Sequence, residues 1–321
     1  MIIVLFTAER WPDYTAKPEY KPLVEKSLEQ YRNEKLNYKA GICEYDYLGD
    51  YLNYGTVNKY AAPSDFILDA DGIPKPKYRE KFYYNPVTVA QHALTLYGRY
   101  LQSEDNLPEF LTAVDKLISM QDDAGAFRYP FSFEYYLNGE VYEPGWVSGM
   151  AQGQALSVLA RAYAVTNDRR YLAAGDKALR FLLTPVAEGG VMSTLRDLHP
   201  SLSKYIIFEE YIADPASYTL NGFMFSLLGL NDWAQASSGE SRELSQKYFK
   251  SGIETLEKIL PYYDLGGFSA YDLGHITYNK AEPHAVAKYH AIHIYLLHAL
   301  YTVTDNKTLH GFEQRWASYV E

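Results

Sequence analysis

The chain of 321 residues carries 30 lysine plus arginine against 40 aspartate plus glutamate residues, a formal net charge of −10, and a single cysteine, Cys43. One cysteine excludes an internal disulfide and a cysteine-based zinc site. An acidic chain without basic runs is unsuited to general binding of nucleic acid or anionic membranes. The apolar run Met1–Phe6 is too short to span a bilayer and lacks the basic start of a signal peptide. With 47% hydrophobic residues, the chain is predicted to fold as one large domain or a domain with an appendage.

Tyrosine is the outlier of the composition, at 32 residues, far above ordinary usage. A phenol both packs and forms hydrogen bonds, a combination that sugar-binding clefts need, although most tyrosines in any protein are structural. The count therefore raises a sugar-binding surface as a hypothesis, which the positions of the tyrosines have to test.

The first 82 residues have the least regular pattern. It predicts one helix near Pro22–Leu36, followed by tyrosine-rich loops. The stretch from Asp69 to Gly72 is interpreted as a plain turn, because the spaced ligands of an EF-hand calcium loop are missing. We assign residues 1–82 to an N-terminal extension that packs on a main domain, residues 83–321.

Four apolar segments with helical periodicity each follow an acidic or amide residue and a proline. An Asn or Asp side chain can cap the free N–H groups of a helix, and proline suits its first turn. The four pairs are Asn85-Pro86, Glu143-Pro144, Asp214-Pro215 and Glu282-Pro283. A second helical pattern follows each segment, at about Pro108–Gln121, Asp168–Leu183, Glu240–Leu260 and Lys307–Val320. Since stacked helix pairs bury continuous apolar faces, the repeat predicts a mainly α protein, an incomplete (α/α) barrel or toroid of about four helix pairs.

The connections between these pairs have strand character. Ala126–Tyr142 is predicted to be a β-hairpin that turns at Asn138-Gly139. Lys204–Ile212 and Gly267–Tyr278 are rich in β-branched and aromatic residues. If the pairs alternate up and down, the three connections emerge at the same end of the barrel and form a cleft there.

Three stretches at that end concentrate ionisable and hydroxyl groups: Phe208–Tyr211, Ser269–His275 and Lys288–His293. Taken alone, each is more often structural, because acidic pairs are usually solvated and most tyrosines and histidines pack. The spacing of His290 and His293 lacks the glutamate and the i,i+4 geometry of a zinc-protease helix, so no metal site is predicted. The sequence also lacks a glycine-rich phosphate loop, a G-x-S-x-G elbow and a cysteine nucleophile, which argues against nucleotide-dependent and acyl-transfer chemistry.

Two long runs, Glu143–Gln154 and Tyr218–Leu230, are specific enough to compare with known families. Shorter runs accompany them in order: Asn85–Gln91, Glu209–Tyr211, Leu260–Asp264, Tyr271–Leu273, Tyr289-His290 with His293, and Gln314–Tyr319. From about residue 83 to the last residue, the sequence resembles the C-terminal catalytic domain of the heparosan and heparan sulfate glucuronyl C5-epimerases. The resemblance implies an (α/α) barrel, often dimeric, that converts glucuronate to iduronate units in a uronic-acid polysaccharide without a cofactor.

The implied reaction explains the residue types. The C5 proton lies next to a carboxylate, so its removal builds an enolate-like dianion, and a second group must return a proton from the opposite face. By the resemblance, Glu210 or Tyr211 works on one face and Tyr289 on the other, while Tyr271 holds or protonates the carboxylate. Eight further residues are expected to bind the substrate, and two of them, Asn221 and His290, also to orient the catalytic groups: Tyr84, Asn85, Arg128, Tyr129, Trp146, Gln152, Asn221 and His290.

One departure from the family bears on catalysis. The family pattern Tyr-Asp-Leu-Arg-His carries Gly274 here in place of the arginine that is expected to neutralise the substrate carboxylate. Losing one such donor can cost about 10²–10³ in rate. We therefore expect Lys288 or Arg196 to supply the charge from another segment, or the substrate to differ. The N-terminal β domain of longer members is also largely missing, and an acidic protein needs a locally basic cleft to act on a polyanion.

Three other functions stay open on the sequence. A polysaccharide lyase shares proton abstraction at C5 and then expels the C4 substituent. A glycoside hydrolase could use two carboxylates, such as Glu210 and Asp272, because (α/α) toroids host these enzymes too. An inactive glycan-binding homologue is favoured if Gly274 leaves the substrate carboxylate unpaired. No targeting signal in the sequence indicates a compartment.

Overall fold

The computed structural model describes residues 17–57, 65–279 and 282–321. Its α-helices are α1 (Lys21–Asn33), α2 (Tyr54–Val57), α3 (Pro86–Tyr100), α4 (Leu107–Ser119), α5 (Gly149–Thr166), α6 (Arg169–Leu182), α7 (Leu220–Ala236), α8 (Gly239–Tyr263), α9 (Gly274–Thr277), α10 (Ala287–Thr304) and α11 (Lys307–Ser318). Its strands are β1 (Phe66–Leu68), β2 (Pro74–Tyr78), β3 (Lys81–Phe82), β4 (Phe133–Glu134), β5 (Val141–Tyr142), β6 (Met192–Thr194) and β7 (Ile206–Phe208). Short 3₁₀ turns occupy Pro18–Tyr20, Tyr38–Gly41, Tyr51–Asn53, Glu104–Asn106, Val186–Glu188, Leu195–Asp197 and Pro200–Leu202. The apolar run Met1–Phe6 lies outside the described residues.

Consecutive helices pack into four pairs, α3 with α4, α5 with α6, α7 with α8 and α10 with α11. The first helices of the pairs also pack side by side, in the order α3, α5, α7, α10, and so form an inner row. Burial agrees with this arrangement, because α7 is buried from Leu220 to Ala234 whereas α6 buries a single face. The predicted mainly α fold, an incomplete (α/α) barrel of four helix pairs, is confirmed.

The N-terminal segment fills the row between α10 and α3. Helix α1, predicted near Pro22–Leu36, packs on α10, as does the turn Tyr38–Gly41, while α2 packs on α3. The segment that follows forms the antiparallel sheet β1-β2-β3. Its β1–β2 turn is the predicted one, in which Asp69 Oδ1 accepts hydrogen bonds from the Ile73 and Asp71 N–H groups. The packing of this extension is thus visible, while a domain boundary at residue 82 stays a prediction.

A buried ion pair fastens this N-terminal segment to the inner helices. Arg161 of α5 and Asp232 of α7 are both inaccessible to solvent, and Nη1 lies 2.8 Å from Oδ2. The Tyr45 hydroxyl donates to the same carboxylate oxygen at 2.7 Å. Arg161 Nη2 donates to the carbonyl oxygens of Asp46 and Gly49. Because both charges are paired and hydrogen-bonded, their burial is tolerated and fixes the three elements together.

No helix within the described ranges is long and apolar enough to cross a membrane.

Of the four dipeptides in which an acidic or amide residue precedes a proline, only Asn85-Pro86 starts a helix. Asn85 caps α3, and its Oδ1 accepts hydrogen bonds from the N–H groups of Val87 at 2.8 Å and Thr88 at 3.3 Å. At the other three pairs the prediction is wrong, and the helices begin several residues later, at Gly149, Leu220 and Ala287. The residue before a proline is pushed out of the helical region, so such a pair also suits an extended segment.

Two of the three connections contain the predicted strands. Strands β4 and β5 form a hairpin in which Phe133 faces Tyr142, with Gly139 at φ +75° in its loop. Strands β6 and β7 pair antiparallel, with Ser193 opposite Ile207. The strand predicted in Gly267–Tyr278 is wrong, since that stretch contains α9. There the Asp272 side chain accepts a hydrogen bond from the Gly274 N–H at 2.7 Å, and such a local bond competes with strand pairing.

Candidate active site

A cavity of about 330 Å³ opens where the inner helices begin. Its walls come from the start of α3, the connections before α5 and α7, and the first turns of α10. Its volume falls within the range of small-molecule sites. Seven of the expected catalytic and substrate-binding residues line it: Asn85, Tyr129, Trp146, Glu210, Tyr211, Asn221 and Tyr289.

Glu210 projects into this cavity from the end of β7 and is 8% exposed. Its Oε2 accepts a hydrogen bond from Asn221 Nδ2 at 3.3 Å, and its Oε1 accepts one from the Tyr271 hydroxyl at 3.3 Å. The carboxylate rests on Gly222 of α7, where any Cβ atom would overlap it. Burial raises the pKa of Glu210 to about 7, although hydrogen bonds from Tyr211, Tyr271 and Asn221 limit the rise. The run Leu220-Asn221-Gly222 thus supplies both a donor and the space for this side chain.

Three tyrosines surround Glu210. Tyr271 is 3% exposed, and its ring centroid lies 4.3 Å from that of Tyr289. Burial, with a further contribution from Glu210, raises the pKa of Tyr289 to about 12. Burial also raises the pKa values of Tyr211 and Tyr271 well above the ordinary value of a phenol. At neutral pH all three phenols are therefore protonated, while Glu210 is divided between its two protonation states.

An aromatic wall lies beside these groups. Trp146 stacks on Tyr129 with a centroid distance of 3.7 Å and on Phe133 at 5.5 Å. Its indole N–H donates to the Phe131 carbonyl oxygen at 2.9 Å, which fixes the ring. Phe133 in turn stacks on Tyr211 at 5.5 Å. The wall therefore places large flat side chains directly against the acid–base groups.

The tip of the β4–β5 hairpin leans over the same tyrosines. The Tyr136 hydroxyl donates to Asp272 Oδ2 at 2.7 Å, and His284 Nδ1 lies 3.0 Å from the same oxygen. The Tyr136 ring contacts those of Tyr211 and Tyr271, with centroids 6.0 and 6.3 Å apart. Asp272 is wholly buried beneath this contact and is not among the described residues that line the cavity. It holds the hairpin in place rather than facing the cavity.

Four of the expected substrate-binding residues lie elsewhere. Gln152 is wholly buried and bonds to three backbone groups, accepting from Phe127 and donating to Gly125 and Ala178. His290 is wholly buried too, held by Ser269 and the Trp316 carbonyl group. These two positions do not fit the expected sugar contact, because the side chains are enclosed and their polar atoms satisfied inside the fold.

The other two lie outside the cavity at its periphery. Tyr84 donates to Asp69 Oδ2 at 2.6 Å, and the ammonium group of Lys116 sits 3.5 Å from its ring centroid. Arg128 lines a neighbouring cavity and donates to Asp122 and to the Gly145 carbonyl oxygen. Trp146 lines both that cavity and the one holding Glu210. Contact with a longer sugar chain stays a prediction for these two residues.

The sequence missed several residues that line the cavity. Some lie inside the runs that carried the resemblance, such as Gln91, Ser148 and Met150, and could have been taken from them. Others come from segments without a signal, namely Tyr54 and Tyr78 of the N-terminal extension and Tyr295 of α10. Tyr78 is positioned by stacking on Phe131 at 3.7 Å and by a hydrogen bond from Asn85 Nδ2. The N-terminal extension thus contributes to the site itself.

Glu209, next to Glu210, points the other way. It lines a second cavity of about 350 Å³ together with Arg196 and Asp197. Burial raises the pKa of Glu209 to about 8, helped by the charge of Asp197. A hydrogen bond from the backbone of Tyr218 opposes part of this rise. Within the described part of the chain, no three His, Cys, Asp or Glu side chains converge as a metal ion would require.

Comparisons with known proteins agree with the resemblance. The family described as D-glucuronyl C5-epimerase C-terminus matches residues 121–318. A D-glucuronyl C5-epimerase of Caenorhabditis elegans is 34% identical over 225 residues, which cover 67% of this chain but only 35% of that protein. An uncharacterized protein of Methanocaldococcus jannaschii is 29% identical over 294 residues, covering 83% of this chain and 89% of that protein. Among solved structures, a polysaccharide lyase superposes with a TM-score of 0.48 at 11% identity, covering 95% of this chain and 72% of that one. On the match over residues 121–318, the chain belongs to the D-glucuronyl C5-epimerase family.

Proposed function

We propose that this protein is a uronate C5-epimerase that converts D-glucuronate to L-iduronate units in a heparosan-like polymer. Family membership supports the proposal, and one observation carries it. Glu210 and Tyr289 come from separate segments yet line one cavity, and Tyr271 contacts both. A reaction that takes a proton from one face of a carbon and returns one to the other needs two such groups around one site.

The protonation states assign the roles. A general base works best with a pKa near the operating pH, and the pKa of Glu210, raised by burial, is about 7. Tyr211 is a weaker candidate for the base, because burial moves its pKa further from neutrality. With a pKa of about 12, Tyr289 holds its proton and can donate it. Glu210 is therefore the base in one direction of the reaction and Tyr289 the acid, with the roles reversed in the other.

The proton balance of one turnover follows. The Glu210 carboxylate takes the C5 proton, and the C–H bond pair moves into the adjacent carboxylate to form the enolate-like dianion. Tyr289 then gives its hydroxyl proton to C5 from the opposite face, which restores the carboxylate with inverted configuration and leaves a phenolate. Glu210 must lose its proton and Tyr289 regain one before the next turnover. Tyr271, whose hydroxyl donates to Glu210, limits the rise of that pKa and positions the base.

The walls of the cavity suit a sugar ring. Trp146 and Phe133 offer flat apolar surfaces for the C–H face of a pyranose. Asn221 lines the same space, and its buried Oδ1 lacks a hydrogen-bond partner in the described part of the chain. Buried polar atoms without partners are costly, so a ligand hydroxyl that meets them would be bound favourably.

One rival function loses its support from this geometry. A glycoside hydrolase using Glu210 and Asp272 needs both carboxylates at the scissile bond. Asp272 is wholly buried and occupied by Tyr136 and Gly274. The experiment described next distinguishes an epimerase from a lyase and from an inactive glycan-binding protein. We also propose that the protein is a homodimer, which a measurement of its mass in solution would test.

The decisive experiment follows C5 by NMR while the protein acts on heparosan and related uronate polymers in heavy water. We expect deuterium at C5 and new iduronate signals, with the chain length unchanged. Unsaturated ends would instead identify a lyase, and new reducing ends a hydrolase. Binding without exchange on every uronate polymer would contradict the proposal and leave a glycan-binding function.

A further inference from the structure

Among the described residues that line the cavity, Lys288 is the only one with a cationic side chain. It is the second residue of α10 and directly precedes Tyr289. The other ionisable groups in the same lining are Glu210 and several tyrosines. A uronate carboxylate that enters the cavity beside Glu210 therefore meets a single formal positive charge there.

Within the described residues, no carboxylate lies within ion-pair distance of this charge. Lys288 forms no ion pair in the part of the chain described, whereas Arg128 pairs with Asp122 and Arg196 with Asp197. Arg196, the second cation expected from the sequence, lines the cavity of Glu209 instead. Helix α10 also begins here without a capping side chain, and the positive end of its backbone dipole adds to the charge of Lys288.

The position where the family carries its arginine is closed in this protein. A Cβ atom at Gly274 would lie 2.6 Å from Leu137 Cδ1 and 2.9 Å from Asp272 Oδ1. Leu137 follows Tyr136 at the tip of the β4–β5 hairpin, which Asp272 holds in place. A side chain at position 274 would thus start against the hairpin tip, and Gly274 is not among the described residues that line the cavity.

We propose, on the basis of the epimerase function above, that Lys288 binds the carboxylate of the reacting uronate. As the C5 proton moves to Glu210, that carboxylate gains a second negative charge while Glu210 becomes neutral. The attraction to Lys288 is therefore stronger in the transition state than in the bound substrate. Such a group raises kcat as well as affinity.

The test compares three variants by the rate of deuterium incorporation at C5 of heparosan. Lys288→Met should lower kcat/KM about 10- to 100-fold, with part of the loss in kcat. This loss is smaller than the 10²–10³ of an enclosed donor, because an exposed charge is screened by salt. Lys288→Arg should keep most of the activity, and Lys250→Met, on the exposed side of α8, should match the wild type.

A second substrate separates charge stabilisation from a structural effect. Heparosan whose carboxylates are converted to methyl esters brings no charge to the cavity and builds only one negative charge when C5 loses its proton, so Lys288→Met should lower kcat/KM for the ester by a smaller factor than for heparosan. Equal losses on both polymers, or no loss on heparosan, would overturn the role of Lys288. A loss in Arg196→Met instead would assign the charge to that residue. If the wild type itself exchanged neither polymer, the epimerase function would fall, and the role of Lys288 with it.

Discussion

Two buried carboxylates near opposite ends of α7 differ in the charge of the groups that bind them. Asp232, near the end of the helix, meets the guanidinium group of Arg161 and the Tyr45 hydroxyl, and is wholly buried. Glu210 packs on the first turn of the same helix and receives hydrogen bonds from neutral donors only, Asn221 and Tyr271 among them. A counter-ion keeps a buried carboxylate charged and fixed, whereas neutral donors leave it free to exchange a proton near neutral pH. Burial alone therefore does not distinguish a structural carboxylate from one that is proposed to be catalytic, whereas the kind of partner does.

The contrast extends to what each carboxylate holds together. Asp232 and Arg161 join α5, α7 and the N-terminal segment at one end of the inner row. Glu210 faces the cavity at the other end, where the connections and α10 meet. We therefore expect mutations at the Asp232 end to change stability, and mutations at the Glu210 end, the proposed site of reaction, to change activity.

The largest expected effect is on the rate at the Glu210 end. Glu210→Gln keeps the size of the side chain, and its NH2 group can donate to the Tyr271 hydroxyl oxygen while its oxygen accepts from Asn221, but the amide cannot take up the C5 proton. Removing a general base should lower C5 deuterium exchange about 10²–10⁴-fold. The free energy of unfolding, measured by denaturant titration, should stay close to the wild-type value, because no counter-ion is left unpaired. Tyr289→Phe should give a loss of similar size, and near-normal exchange in either variant would refute its assignment.

The corresponding experiment at the other end of α7 is Asp232→Asn. It leaves the Arg161 charge buried without its partner, and breaking a buried pair in this way costs about 3–5 kcal/mol. Denaturant titration should show the lost stability, while exchange per folded molecule stays at the wild-type level. A variant that kept its stability, or lost activity in the folded fraction, would break the contrast between the two carboxylates.

Glu209 provides a third case, a buried carboxyl group that forms no ion pair with any described residue. Its pKa in the folded protein is about 8, above the value near 4.5 that it has when unfolded. The folded state therefore binds this proton more tightly, and its contribution to stability is complete below pH 4.5 and is lost as the pH rises to about 8. The loss amounts to at most about 1.4 kcal/mol per pH unit.

Glu209→Gln should flatten the fall of stability between pH 5 and 8, since glutamine does not titrate. Melting temperatures measured across this range give the slope for each protein, so a constant offset caused by the buried amide does not matter. Parallel slopes in the variant and the wild type would show that Glu209 is already ionised at low pH.

The sequence predicted several residues that line the cavity better than it predicted where the helices begin. Helix pairs follow from apolar periodicity, and Glu210, Tyr211 and Tyr289 lie in runs that resemble a family, so all could be found without coordinates. Gln152 and His290 lie in the same runs but serve the fold, because a motif records which residues occur and not which way they point.

Contacts between distant segments escaped prediction altogether. Tyr136 reaches Asp272 across the cleft, and the N-terminal extension brings Tyr78 to Phe131. Neither contact has a local pattern, since each depends on how two connections pack. The interpretation of Gly274 changes for the same reason. From the sequence it is a position that lacks the arginine of the family, whereas in the structure the space beside it is filled by the tip of the β4–β5 hairpin.

The smallest expected effect is a shift in the pH profile. The Tyr271 hydroxyl donates to Glu210 and so opposes the rise of its pKa on burial. Exchange should increase with pH and level off above about 7, where Glu210 is ionised. Tyr271→Phe removes the donor, so the midpoint of kcat/KM should move upward by about one pH unit or less, equivalent to about 1.4 kcal/mol per unit. At pH 9 much of the lost rate should return if Tyr271 acts through Glu210. A loss that is equal at every pH would mean that Tyr271 acts on the substrate carboxylate instead, which would move it from a positioning role to a catalytic one.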